Sequence, residues 1–273
     1  MPNRLLIAAL CCLATTAHAE EEPLWEFGVG AFGLYAPDYP ASGESSFNGL
    51  PFPYVIYRGD FFRLDDEDGA RIVPLETARF RFDISADAAF GVNSDDNDAR
   101  EGLEDLDPLV QIGPQVVVEG PRFAGGQLEF ALAARAVYSV DFDDIEYQGA
   151  VLEPRIRYER ELGTEREIGL FASVQPIWAT EELHDYFYEV DAPFATPSRP
   201  AFDAGGGYLG AEVSLGVSAE ITDRLQLFAG TGLGFYEGAE NEDSPLFEED
   251  VTAAAFLGFA YTLRRSERMV RRD

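Results

Sequence analysis

One histidine of the sequence has neighbours that could make it a general base. His184 is followed by Asp185 and preceded by Glu181 and Glu182 in an acid-rich stretch. A histidine oriented by a carboxylate can accept a proton from a nucleophile, so this pattern fits a hydrolase site. The competing interpretation, which we favour, is an exposed loop histidine among acids. We therefore predict no catalytic residue, and keep an outer-rim hydrolase as the least favoured alternative.

Two further motifs resemble ligand sites but lack the context that such sites need. Gly28-Val-Gly-Ala-Phe-Gly33 has the spacing of a dinucleotide-binding loop, yet it lies in a strand-like pattern that runs into prolines instead of a helix. Ser94-Asp-Asp-Asn-Asp98 resembles the start of a calcium loop without its glycine and closing glutamate. We therefore predict no cofactor and no metal site. The acidic loop could attract divalent cations only diffusely, including those that bridge lipopolysaccharide phosphates.

A third set consists of charged residues that alternate with apolar ones. Its members are Arg79, Arg81, Asp83, Asp87, Glu129, Arg135, Glu153, Arg155, Arg157 and Glu159. Residues at alternate positions share one face of a strand, and charges on an enclosed face need partners. We expect these groups to form a network of ion pairs that closes the interior. The alternative is a polar path for small solutes, as in a narrow porin-like channel.

The segments that carry these residues have the period and length of membrane-spanning strands. Alternation of this kind over roughly 10 residues is typical of transmembrane β-barrels. Ten segments show it, at residues 25–35, 50–59, 78–91, 108–119, 126–140, 149–160, 166–179, 206–221, 225–236 and 250–263. They predict an all-β, transmembrane, antiparallel up-and-down barrel of ten strands. Two short pieces at 61–64 and 71–75 would make twelve, and a soluble β-sandwich is the remaining alternative.

The connections between the segments alternate in length, which orients the barrel. The short ones are residues 120–125, 161–165 and 222–224, and the long ones are residues 36–49, 93–107, 141–148, 180–205 and 237–249. In outer-membrane barrels the long loops face outward and the short turns face the periplasm. The long loops contain 25 of the 50 acidic residues and two arginines, Arg100 and Arg199. Negative charge is therefore expected at the outer rim.

Composition and the N-terminus indicate a protein of the cell envelope. The 273 residues include 50 acids and 20 bases, all of them arginine, for a net charge of −30, which argues against nucleic-acid binding. An apolar run followed by Ala17-His-Ala19 predicts a secretory signal peptide over residues 1–19. Both cysteines lie inside it, so the mature chain would form no disulfide. The predicted organisation is a signal peptide (1–19), a barrel (20–263) and an arginine-rich periplasmic tail (264–273).

Several motifs, in their order and spacing, resemble the MltA-interacting protein (MipA/OmpV) family. They are Tyr35-Ala-Pro-Asp-Tyr-Pro-Ala-Ser-Gly-Glu44, Leu50-Pro-Phe-Pro-Tyr-Val-Ile-Tyr-Arg-Gly59, Leu109-Val-Gln-Ile-Gly-Pro114 and Ser244-Pro-Leu246. The resemblance runs from about residue 27 to residue 263. It implies a barrel without known catalytic activity in the outer membrane of a Gram-negative bacterium, surrounded by lipid and lipopolysaccharide. It also implies a scaffold that holds a lytic transglycosylase against a peptidoglycan synthase.

The C-terminus departs from the usual pattern of outer-membrane barrels, which end on an aromatic residue. Ten residues follow Leu263, and five of them are arginines: Arg264, Arg265, Arg268, Arg271 and Arg272. The number of predicted strands places this tail in the periplasm. The interpretation that we favour is a solvated terminus; the functional hypothesis is that these arginines dock an acidic partner or anionic lipid head groups.

Overall fold

The strands of the protein follow the alternating segments of its sequence. A computed structural model describes residues 21–58, 62–65, 69–77, 79–141, 144–163 and 168–271. In chain order the strands are β1 (Glu21–Pro23), β2 (Trp25–Pro37), β3 (Ser45–Arg58), β4 (Phe62–Asp65), β5 (Gly69–Thr77), β6 (Phe80–Ala89), β7 (Leu109–Phe123), β8 (Gly126–Val140), β9 (Ile145–Leu162), β10 (Ile168–Ala179), β11 (Gly207–Thr222), β12 (Leu225–Phe235), β13 (Val251–Arg265) and β14 (Met269–Arg271). The helix α1 (Glu181–Tyr188) lies between β10 and β11.

Strands β2 to β13 form one antiparallel ring, in which each strand pairs with the next and β13 pairs with β2. The predicted fold class, an antiparallel up-and-down transmembrane barrel, is confirmed. Ten strands have 10 or more residues, as predicted, and they coincide with the ten alternating segments. The short pieces form a hairpin, β4 and β5, so the complete ring has twelve strands, which is the alternative number.

The outer face of the barrel is apolar because side chains alternate between its two sides. On β13, exposed and buried residues alternate from Val251 to Ala260, and the exposed ones include Leu257 and Phe259. An apolar belt of this size is unusual on a protein surrounded by water. It is the surface that hydrocarbon chains cover in a bilayer. The belt therefore marks the membrane-spanning zone.

The long connections meet at one end of the barrel. Residues 38–44, 90–108, 180–206 and 236–250, called here the outer cap, pack around Leu183, Phe187 and Tyr188 of α1, all of which have 0% exposure. The short turns lie at the opposite end, called the periplasmic end because the predicted orientation places it there. In the described part of the chain, no helix is long and apolar enough to cross a membrane.

Both ends of the described chain pair with each other beyond the barrel. Strand β13 continues to Arg265, two residues past the predicted end of the barrel, and β14 then pairs with β1. The N–H of Ser266 donates to the carbonyl of Trp25, and the N–H of Leu24 donates to the carbonyl of Arg268, each at 2.8 Å. These two strands are called the terminal ribbon. The predicted signal peptide and Arg272 lie outside the described residues.

Candidate functional site in the lumen and outer cap

A buried arginine organises the side of the lumen formed by β6 to β9. Arg135 on β8 makes an ion pair with Glu153 on β9, and the two residues are 8% and 2% exposed. The same guanidinium donates to Ser85 Oγ at 3.0 Å and to Gln115 Oε1 at 3.3 Å. One side chain thus joins four neighbouring strands. A guanidinium suits this position because its planar fork offers five donors.

A second group of charges lies closer to the periplasmic end. Arg81 Nε is 2.8 Å from Asp83 Oδ2, and Arg155 Nη2 is 3.5 Å from Glu129 Oε1. Glu129 also lies 4.0 Å from Arg81 Nη2, so it connects the two pairs. The charges alternate in sign across the strands. This arrangement offsets part of the cost of removing each group from water.

A third group of charges lies where the polar side of the lumen meets an aromatic one. Arg157 Nε contacts Glu159 Oε1 at 2.5 Å, and the Arg157 guanidinium lies over the ring of Phe171, 4.9 Å from its centroid. Within that distance the ring quadrupole attracts the cation. The inward residues Arg81, Asp83, Ser85, Gln111, Gln115, Glu129, Arg135, Glu153, Arg155, Arg157 and Glu159 are called the polar wall.

Two of the ten predicted lumen charges lie apart from these pairs. Arg79 is exposed in the turn that precedes β6. Asp87 lies nearer the outer cap, where its carboxylate accepts the N–H of Ala88 at 2.7 Å. The other eight come together in the three groups described above. What the network does for the barrel remains our prediction.

Gln111 shows how tightly the polar wall is packed. It is 0% exposed, and neither its amide oxygen nor its amide nitrogen has a hydrogen-bond partner among the described residues. Burying such an amide unpaired costs on the order of 1–3 kcal/mol. Its zero exposure means that water does not reach this side chain. Sequence patterning did not single out Gln111, because a lone glutamine in a strand carries no signal of burial.

The other side of the lumen is filled by aromatic rings. Phe32, Leu34, Ala36, Phe171, Phe228, Ala254, Phe256 and Ala260 form a buried cluster, called the apolar wall. Glycines on neighbouring strands make room for its rings. A Cβ added to Gly216 would lie 2.0 Å from a ring carbon of Phe171. The sequence predicts that strand glycines allow bending; the structure adds that they accommodate large inward rings.

In the outer cap, Arg100 donates to backbone carbonyls. It is 5% exposed, and its Nη atoms donate to the carbonyls of Phe187 at 3.1 Å and Glu104 at 3.2 Å. Its guanidinium also lies over the ring of Tyr39, 5.6 Å from the centroid. Burial lowers the pKa of Arg100 from its ordinary value. Three long connections are joined through this residue.

The second arginine of the long connections acts in the same way. Arg199 Nη1 donates to the carbonyls of Ala99 at 2.9 Å and Glu101 at 3.0 Å, and Nη2 donates to the carbonyl of Phe194 at 3.2 Å. Both arginines thus donate hydrogen bonds to backbone carbonyls of the outer cap.

His184 is a buried structural residue of the outer cap. The prediction of an exposed loop histidine was wrong: α1 packs into the cap, and His184 is 0% exposed. Its Nδ1 lies 2.7 Å from Asn241 Nδ2, and its Nε2 lies 3.3 Å from the carbonyl of Gly207. An amide donates to Nδ1, so Nε2 carries the proton. Both ring nitrogens thus connect α1 to neighbouring parts of the protein.

The acids next to His184 experience a different environment. Burial, followed by the charges of Glu189 and Glu181, raises the pKa of Asp185 from 3.8 to about 6. Glu182 has a lowered pKa, chiefly because Thr180 hydrogen-bonds to it. In the described part of the chain, no group of three or more His, Asp or Glu side chains could hold a metal ion.

The terminal arginines lie at the end of the barrel that carries the short turns, the end predicted to face the periplasm. Arg264 and Arg265 are exposed at the end of β13, and Arg268 is exposed in the turn before β14. The backbone of Arg271 pairs with Glu21 in the terminal ribbon. Three exposed bases thus lie together in sequence at an otherwise acidic protein's inner rim.

A family model described as "MltA-interacting protein MipA" matches residues 29–263. The comparison with curated proteins finds no match. Among solved structures, the β domain of the Bordetella autotransporter BrkA is similar with a TM-score of 0.42 and 10% identity, over 87% of this chain and 99% of that one. Outer membrane phospholipase A from Escherichia coli gives 0.34 and 8%, over 86% and 92%. The Pseudomonas putida toluene transporter TodX gives 0.33 and 9%, over 95% and 93%. These likenesses do not bear on function.

Proposed function

The chain belongs to the MltA-interacting protein MipA family, and from that premise we propose that this outer-membrane barrel is a non-catalytic scaffold of the cell envelope. Its partner at the periplasmic face would be a lytic transglycosylase, held there beside a peptidoglycan synthase. The family's description names the first interaction; the second partner comes from the resemblance described above.

The observation that supports this proposal is the packing of side chains inside the barrel and in the outer cap. Arg135 and Glu153 pair across the polar wall, Gln111 has zero exposure, and the outer cap has its own hydrophobic core. When side chains fill the interior of a barrel, they make it rigid and leave no channel for solutes. A rigid closed barrel suits a protein that positions others.

The exposed arginines at the periplasmic end are the contact that we propose for the partner. Arg264, Arg265 and Arg268 project from the end of β13 and the turn that follows. Guanidinium groups recognise carboxylates through paired hydrogen bonds. An acidic surface on the transglycosylase is therefore the chemistry that would match them.

Affinity purification from gently solubilised membranes tests this proposal. The wild-type protein should retain a lytic transglycosylase, and the triple variant Arg264→Ala, Arg265→Ala, Arg268→Ala should retain much less. A matched control replaces three other exposed arginines, Arg122, Arg160 and Arg224, with alanine. Retention by the control but not by the terminal variant supports the docking site. Absence of any peptidoglycan enzyme from the wild-type sample would refute the scaffold.

The second candidate is a narrow path for small solutes, and one observation favours it. The charges of the polar wall nearest the periplasmic end are partly accessible to solvent. The side chains of Glu129, Arg81 and Arg155 are 26%, 17% and 15% exposed. Swelling of liposomes that contain the barrel, in solutions of small sugars or amino acids, distinguishes the two. Swelling faster than in protein-free liposomes would favour the path over the sealed scaffold.

A further inference from the structure

The barrel wall has a notch in its outer half. Strand β3 pairs with β2 along Ser45–Tyr57, but with β4 only at Tyr57 and Arg58. On the other side, β6 pairs with β7 up to Ala89, but with β5 only from Phe80 to Ile84. Among the described residues, β3 above Tyr57 and β6 above Ile84 thus lack a neighbour on the sides that face each other. The short β4–β5 hairpin closes the ring only below this point.

The sequence of β3 explains why its edge stays unpaired. Pro51 and Pro53 both lie within the strand, at positions of the same parity. Alternate residues of a strand direct their N–H groups to the same side. Proline has no N–H, so it is tolerated where no neighbouring strand requires a donor. Pairing of β3 with β2 is continuous. We therefore place the positions without an N–H, Pro51 and Pro53, on the edge of β3 that faces the notch.

Exposure along the inward face of β3 follows the notch. Leu50 is the partner of the buried Phe32 and so shares its inward side, yet Leu50 is 46% exposed. Phe52 and Tyr54 are intermediate, and Ile56, next to the hairpin, is only 7% exposed. The inner surface is thus accessible beside the notch and closed where β4 completes the wall.

Aromatic rings line the space behind the notch. Phe52 on β3 and Phe90 at the end of β6 stand on its two sides. The ring of Phe32 lies between them, with centroids 5.9 Å from Phe52 and 6.3 Å from Phe90. These rings continue into the apolar wall. A molecule that enters the notch from the membrane would therefore contact apolar side chains as far as the apolar wall.

We propose that this notch binds a hydrocarbon chain, the acyl chain of a lipid in the outer leaflet, against Leu50, Phe52 and Phe90. The notch lies in the membrane-spanning wall, in the half nearest the outer cap, so acyl chains of that leaflet are its immediate surroundings. Pro51 and Pro53 have no N–H, so the edge of β3 that faces the hydrocarbon has two fewer donors to leave unpaired. A strand of a second copy is a poorer occupant, because Pro51 and Pro53 cannot donate to it.

Quenching of tryptophan fluorescence by brominated acyl chains tests this binding. Trp25 and Trp178, the two tryptophans of the chain, are first replaced by phenylalanine. Single tryptophans are then introduced as Leu50→Trp at the notch, Leu257→Trp on the lipid-facing surface, and Phe228→Trp or Phe256→Trp in the sealed apolar wall. Each variant is reconstituted in phosphatidylcholine vesicles with brominated or ordinary chains, and a heat-dependent gel shift selects folded barrels.

An acyl chain in the notch predicts that the Leu50→Trp protein loses the same fraction of its fluorescence as the Leu257→Trp protein. The tryptophans of the sealed wall should lose little. Loss at Leu50→Trp no greater than at Phe228→Trp overturns the proposal. Weak quenching together with a sedimenting mass of two chains also overturns it, since a second copy then covers the notch.

Discussion

The polar wall and the apolar wall fill two sides of one lumen by different chemistry. On β6 to β9, side chains of opposite charge meet around Arg135 and Glu153. On β2, β12 and β13, rings such as those of Phe228 and Phe256 fill the space that neighbouring glycines leave. The polar wall depends on pairs, because one partner alone would be a buried charge. The apolar wall depends on volume. Substitutions in the two walls should therefore lower the unfolding free energy for different reasons.

The largest effect is expected from removing one partner of the central ion pair. Glu153→Met leaves Arg135 buried without its carboxylate, which should cost about 3–5 kcal/mol of unfolding free energy. Unfolding by urea in lipid vesicles measures this loss. The double variant Arg135→Met, Glu153→Met removes both charges and should be considerably more stable than the single variant. If the double variant loses the sum of the two single losses, the pair is not the unit of stability.

The apolar wall should respond to volume. Gly216→Ala places a methyl group against the ring of Phe171, and such overpacking should cost about 1–3 kcal/mol. All three of the nearest atoms belong to the Phe171 side chain, so Gly216→Ala combined with Phe171→Leu should recover part of the loss. The same urea titration measures both. A Gly216→Ala barrel as stable as the wild type would show that this ring has room to move.

The smallest effect is expected in the outer cap, where Asp185 lies near other acids. The pKa of Asp185 is raised from 3.8 to about 6, so its charged form is the less stable one in the folded cap. Folded protein binds more protons than unfolded protein between these values, and stability contributed here is present at low pH and lost as pH rises towards 6 and above. Resistance of the cap to proteolysis should fall over that interval.

A conservative variant isolates this titration. In Asp185→Asn the amide carries no charge, so the change in protease resistance between pH 4 and about 7 should become smaller. Glu182→Gln provides a control on the same helix, at an exposed site with a lowered pKa. An unchanged pH profile in Asp185→Asn would assign the effect to other acids of the cap.

Local patterning predicted the wall of the barrel well. Alternation of side chains is a property of each strand by itself, so ten long strands and the shared inward face of eight charged residues could be inferred from residue order. The short β4–β5 hairpin was recognised only as an alternative, because four residues carry little periodic signal.

Features that depend on distant contacts could not be inferred in this way. His184 is buried because α1 packs against residues 90–108 and 236–250, which lie far away in sequence. The carbonyl contacts of Arg100 and Arg199 likewise require the folded cap. Pro51 and Pro53 did carry a signal of an unpaired edge, but it becomes interpretable only when the partners of β3 are known.

We propose that side chains and the outer cap close the aqueous path along the axis of this barrel, and single-channel recording in planar bilayers tests this most directly. The sealed lumen predicts no steady conductance from the wild-type protein. The Glu153→Met barrel, with its central pair broken, provides a comparison in which intermittent openings are expected. A steady open conductance from the wild-type protein would contradict the claim.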